Sequence, residues 1–164
     1  MTTATKAAQA ATRTDPASLP LLDFVPLVSP ELESPRHLTL LADALEQAER
    51  VPVRLVVSVP PQHGKSTLVF HWLAKVLLGP PRPLMYITYS IDFAFSQMRM
   101  ARRIADASGV RFEPTSRALL EGNTLNGGSL WATGIGGGVT GRPGGIVVVD
   151  DPIKDWAEAQ SRAI

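Results

Sequence analysis

Hydrophobic positions along this chain fall into two periods. Leu38, Leu41, Leu45 and Ala48 recur at the spacing of one helix face, with charges between them and Pro52 to stop the run. Lys65 to Leu78 carries the same pattern and ends at Gly79 and Pro80; Ile91 to Ala107 opens on Ser90 as an N-cap and ends at Gly109. Three other runs are nearly unbroken and rich in β-branched residues: Val53 to Val59 (VRLVVSV), Leu84 to Tyr89 (LMYITY) and Ile146 to Val149 (IVVV). Such runs suit strands buried on both faces, as in a parallel sheet. Strand, helix, strand, helix in this order is the βαβ signature, so the expected class is α/β, with a mainly parallel sheet flanked by helices. Pro16 to Pro35, rich in proline and apolar residues, reads as extended chain lying on a surface, which makes residues 1–35 a disordered or extended arm. Gly134 to Gly145 holds seven of the 13 glycines. Between Ser129–Thr133 and Val139–Thr140 it reads as a tight hairpin and ordered glycine loop ahead of the last strand.

Composition narrows the class without naming a chemistry. At 164 residues, 45% hydrophobic and 19% charged, the chain has one domain's worth of ordinary globular sequence. Sixteen basic against 15 acidic residues leave a net charge of +1, which excludes a strongly basic DNA-coating protein but not a local basic patch. There is no cysteine, hence no disulfide, thiolate metal site or catalytic thiol. No apolar run approaches the ~18 residues of a membrane span. Met1 to Ser18 is Ala/Thr-rich with Lys6 and Arg13, a composition shared by disordered tails and transit peptides, and it lacks the apolar core of a secretory signal.

The strongest chemical signal is Pro60-Pro61-Gln62-His63-Gly64-Lys65-Ser66-Thr67, placed between an expected strand and an expected helix. A helix N-terminus offers backbone N–H groups and the positive end of its dipole to an anionic phosphate. Gly64 lets the backbone approach closely, Lys65 reaches β- and γ-phosphates as a point charge, Ser66 ligates Mg²⁺ and Thr67 bonds phosphate. Pro61, Gln62 and His63 complete the loop. The usual pattern, G-x-x-x-x-G-K-[ST], has glycine where this chain has Val59, and a capped helix start with an exposed lysine is the plainer reading of the same residues. The second signal is Ile146-Val147-Val148-Val149-Asp150-Asp151. A carboxylate at a strand tip beside the phosphate loop can hold Mg²⁺, so Asp150 is the expected metal residue. Asp151 is placed to polarise an attacking water, a role more often filled by glutamate. A helix-capping Asp before Pro152 is the alternative. His37, His63 and His71 show no metal-ligand spacing: His71 reads as packing or solvated, and His63 as a loop position near phosphate.

Together these stretches resemble the ATPase part of the large terminase subunit of tailed bacteriophages, the DNA-packaging motor. The resemblance rests on His37-Leu38 with its helix, SVPPQHGKST, ITYSIDFAFSQMRMARRI, WATGIGGGVTGRPGG and IVVVDDPIKDWAEAQS, and covers residues 36–164. It implies a P-loop NTPase of the RecA-like, ASCE type, with ATP and Mg²⁺ as nucleotide and metal. Lys65 and Ser66 would be the Walker A residues, Asp150 and Asp151 the Walker B metal and hydrolytic carboxylates. Arg142, in TGRPGG, would be an arginine finger reaching a neighbouring subunit, or else a solvated loop charge. The N-terminal segment and first helix would flank the adenine. Arg99, Arg102 and Arg103 would face solvent or DNA. The family's partners are double-stranded DNA, a portal protein and a small terminase subunit, in a homo-oligomeric ring in the cytoplasm of a bacterial host cell.

The resemblance also implies a chain that stops short. The family adds a further strand between the two motif-bearing strands, a coupling motif and an RNase H-like nuclease, so the expectation is a fragment with a gap in its sheet and little activity alone. Two other functions compete. A small-molecule or nucleotide P-loop kinase keeps the first loop glycine, starts its strand near the N-terminus and carries an arginine-rich lid. A decayed, non-enzymatic remnant would retain only the outline of the fold.

Overall fold

The computed structural model describes residues 15–115, 118–139, 141–154 and 160. Most of the N-terminal tail, and the stretch after Lys154 that shares in the resemblance, lie outside them. The four helices are α1 (Leu21–Val28), α2 (Thr39–Ala48), α3 (Lys65–Leu78) and α4 (Ile91–Ser108). The strands are β1 (Pro83–Thr88), β2 (Glu121–Asn123), β3 (Ser129–Gly134) and β4 (Ile146–Val149). They form one mixed sheet in the order β2-β3-β1-β4, with β1 parallel to both β3 and β4 and β2 antiparallel to β3. The class is α/β, a four-stranded sheet flanked by helices.

The helices begin and end where their residues require. The Ser90 hydroxyl accepts from the Phe93 amide at 3.2 Å, and Gly109, at φ 96°, closes α4 in the left-handed conformation that lets the chain turn away. Leu68, Trp72 and Leu73 of α3, Met98 of α4 and Tyr86 of β1 are buried in one core, and the Phe70 ring lies 5.4 Å from that of Tyr86. Central strand β1 is buried on both faces over Leu84, Met85 and Tyr86, as its unbroken apolar run leads one to expect.

Four expectations need correction. Residues 21–28 are not extended surface chain but a helix, because Leu21, Phe24 and Val25 fall on one face and sink into the core. The Glu46 carboxylate of α2 accepts from the Leu21 amide at the start of that helix. The glycine-rich stretch forms no hairpin with β3. The antiparallel partner of β3 is β2, upstream, and the described residues 135–139 and 141–145 hold no strand before β4. Strand β4 is not buried on both faces: Val147 and Val149 are half exposed on an edge. Finally, Val53 to Val59 is no strand at all. Among the described residues it pairs with no strand, and Val56 is 97% exposed.

The last two corrections share a cause. An apolar run becomes a strand only where a neighbour supplies its backbone hydrogen bonds. Between residues 53–57 and β4 lies instead a groove of about 660 Å³, floored by Leu41, Leu45 and Trp72. It separates the two segments that the resemblance expects to flank a further strand. One end of the groove reaches Lys65, Asp150 and Asp151.

Candidate functional site

The loop before α3 turns tightly. Gln62 has φ 62° and Gly64 φ 80°. A side chain at Gly64 would find room, its nearest neighbour being Leu38 Cδ1 at 3.9 Å, so the left-handed backbone rather than crowding asks for glycine there. Two imidazoles brace the loop: His63 Nδ1–H donates to the Pro61 carbonyl at 2.8 Å, and His37 Nε2–H to the His63 carbonyl at 3.0 Å. The first amides of α3, from Lys65 to Thr67, precede the first intrahelical bond, which the Leu68 amide makes to the Gly64 carbonyl at 2.9 Å.

Strand β4 brings the carboxylates to that helix end. The Asp150 amide donates to the Ile87 carbonyl at 2.8 Å, which holds residue 150 in line with β1. Asp151 follows at φ 46°. Among the described residues, Gln62 and Asp151 are the two non-glycine positions with positive φ, and they stand on the two segments that meet here. Lys65 Nζ lies 3.1 Å from Asp150 Oδ1 and 3.0 Å from Asp151 Oδ1. The Ser66 hydroxyl donates to Asp150 Oδ2 at 2.6 Å, and the Tyr86 hydroxyl donates to the same oxygen at 2.8 Å. These contacts join side chains 64 to 86 residues apart in sequence.

The electrostatics follow from the contacts. Burial pulls the Lys65 ammonium down, but its hydrogen bonds to Asp151 and Asp150 and their charges more than reverse this, so its pKa lies above the ordinary lysine value. Burial, then the charge and hydrogen bond of Asp150, push the Tyr86 phenol far up, so it stays protonated and keeps donating. Ser66 Oγ and Asp150 Oδ2 are hard oxygen donors hydrogen-bonded to one another at 2.6 Å, closer than the ~3.0 Å between adjacent ligands of an octahedral cation that takes oxygens at ~2.1 Å, so a cation between them would take the place of that hydrogen bond. Hard oxygens of this kind are the ligands Mg²⁺ takes, and Mg²⁺ is commonly held by few protein ligands.

Other expected residues distribute around this centre. Thr67 sits in the first turn of α3, its carbonyl accepting from His71 Nδ1–H at 2.8 Å. The far side of the loop faces a smaller cavity, about 370 Å³, lined by Gln62, His63, Gly64 and Thr67 opposite Val25, Leu32 and His37. Arg142 is not brought to the cluster. Its guanidinium stacks 4.4 Å above the Trp131 ring and pairs with Glu121 at 3.1 Å. Arg102 covers Phe112 and donates to the carbonyls of Ala118, Leu119 and Glu121, while Arg99 and Arg103 are exposed.

Sequence reasoning missed Tyr86 and Thr88. Both stand on the core face of β1, and Thr88 is fully buried with no hydrogen-bond partner for its hydroxyl among the described residues. Two polar tips alternating in an apolar strand are a signal, but they point to Asp150 only once the β1–β4 register is known. Among the described residues no group of three or more His, Asp or Glu side chains gathers as a metal site, and no helix is long and apolar enough to cross a membrane. No family model, curated protein or solved structure matches the chain.

Proposed function

We propose that the cluster at the start of α3 binds ATP with Mg²⁺, and that the chain is the P-loop ATPase part of a phage-type large terminase. The observation that carries this is one lysine amine within 3.1 Å of two carboxylates, with a neighbouring hydroxyl 2.6 Å from one of them, at a helix N-terminus. An amine, a hydroxyl and a carboxylate at the mouth of a helix are the groups that a triphosphate and its cation need.

In this reading Lys65 exchanges Asp151 and Asp150, whose charges and hydrogen bonds hold its pKa up here, for the β- and γ-phosphate oxygens, anions that favour its cationic form in the same way. The first amides of α3 accompany it. Ser66 Oγ and Asp150 would hold the cation, whose charge would offset that of the phosphates. Asp151, released by Lys65, accepts the proton of a water whose oxygen attacks the γ-phosphorus while the bond to ADP breaks. The 370 Å³ cavity, with Val25 and Leu32 in its wall, would take the adenine. Double-stranded DNA, a portal protein and a small terminase subunit are the proposed partners, in a ring of copies. Arg142 acts across that ring only if it leaves Glu121 and Trp131.

The test is the thermal midpoint of the full chain with ATP, with and without Mg²⁺. A ligand that binds only the folded state stabilises it by about 2.7 kcal/mol at a hundred times its Kd. Lys65→Ala and Asp150→Asn are each expected to abolish the shift. An unchanged midpoint in wild type, or an equal shift in Lys65→Ala, would falsify the proposal.

A further inference from the structure

Thr88 ends β1 one step past the last β1–β4 pair, Ile87 with Val149, and so stands beside Asp150. Residues side by side on parallel strands project to one face, here the face of Tyr86, two positions back. On its other side Thr88 pairs with Gly134, which has no side chain to fill the space. A Cβ at Gly134 would come within 2.6 Å of the Ser90–Ile91 backbone, so that neighbour stays bare. The Thr88 hydroxyl is therefore buried between Asp150 and the start of α4, unpartnered among the described residues. Asp150 does not accept from it: Oδ2 takes the hydroxyls of Ser66 and Tyr86, and Oδ1 faces Lys65. Buried hydroxyls are rarely left so, and an exception calls for a missing water or ion.

We infer that Thr88 is a positioning residue for the divalent cation at Asp150, its hydroxyl holding a water of that cation's hydration shell. The inference rests on the nucleotide reading. Mg²⁺ gives up its waters reluctantly, and each retained water needs an acceptor for its protons. The Asp150 carboxylate and the Thr88 oxygen, side by side on adjacent strands, provide two. Removing a hydrogen-bonding partner of a metal's inner shell typically weakens metal affinity 10- to 100-fold.

The experiment titrates Mg²⁺ into the full chain at fixed ATP and reads the thermal midpoint for wild type, Thr88→Val and Thr88→Ser. Thr88→Val is expected to need about tenfold more Mg²⁺ or above, while its midpoint without ligand holds or rises, because a methyl replaces an unpaired hydroxyl. Thr88→Ser keeps the hydroxyl and is expected to titrate close to wild type. A Thr88→Val titration matching wild type overturns the inference, and so does a weakening that Thr88→Ser shares in full, which would trace the effect to packing. A wild-type chain that ignores Mg²⁺ and ATP overturns the nucleotide reading and this inference together. A responsive wild type with an indifferent Thr88→Val overturns the inference alone.

Discussion

Asp150 gathers more of the chain than any other side chain at the site. It is 6% exposed and meets Lys65, Ser66 and Tyr86, which come from a helix start and a neighbouring strand. A polar group buried to this degree costs free energy unless hydrogen-bond donors surround it. Tyr86→Phe removes one donor and leaves the ring in place against Phe70. The expected cost is about 1.5–3 kcal/mol, as for other hydrogen bonds to a charged group. Urea unfolding at neutral pH checks this, and a midpoint equal to wild type would show that Ser66 and Lys65 suffice. Lys65, Ser66, Asp150 and Asp151 were legible as residue types in short motifs. Tyr86 was not, since a tyrosine inside an apolar strand looks the same whether its hydroxyl meets a carboxylate or water.

At the scale of elements, α3 is the hub, with the Gln62–Gly64 turn at its head and α1 docked along its side. His71 makes that junction. Fully buried, its Nδ1–H donates to the Thr67 carbonyl and its Nε2 accepts from the Ser29 hydroxyl at 2.9 Å, just past the end of α1. Burial depresses its pKa below the ordinary histidine value, against the opposing pull of the Thr67 carbonyl and the Glu31 charge. The unfolded chain therefore takes up this proton first as pH falls. The stability contributed by neutral His71 is present above its unfolded pKa of about 6.5 and is lost as pH drops through the lower folded value. Thermal midpoints from pH 7.5 to 5 are expected to fall more steeply for wild type than for His71→Gln, and parallel slopes would contradict this. The bounds of α3 and β4 were legible from their patterns; α1 was not, because Pro20, Pro26 and Pro30 masked a helical spacing that only a receiving core turns into a helix.

For the whole molecule, the open side of β4 dominates. Val147 and Val149 are half exposed there, and Val53, Leu55 and Val56 are exposed across the groove. Unpaired strand edges with apolar neighbours invite other strands, and a net charge of +1 supplies almost no repulsion between copies. The purified chain is expected to associate as its concentration rises. Val147→Lys, which places a charge on that edge, is expected to suppress this while leaving the circular dichroism spectrum unchanged. Sedimentation velocity over a concentration series decides the matter, and equal association by both chains would place the contact elsewhere.

Local chemistry determined much of this protein from its sequence alone. Helical spacing, caps and breakers set α2, α3 and α4; β-branched runs set β1 and β4; and one short loop motif together with one pair of acids marked the residues that meet. Each of these is decided within a few positions of the chain. Whether Val53 to Val59 pairs, whether residues 21–28 dock, which strand joins β3, and that Tyr86 and Thr88 flank Asp150 were decided only in the tertiary structure. Strand pairing and side-chain burial depend on a neighbour distant in sequence, and no local pattern states whether that neighbour arrives.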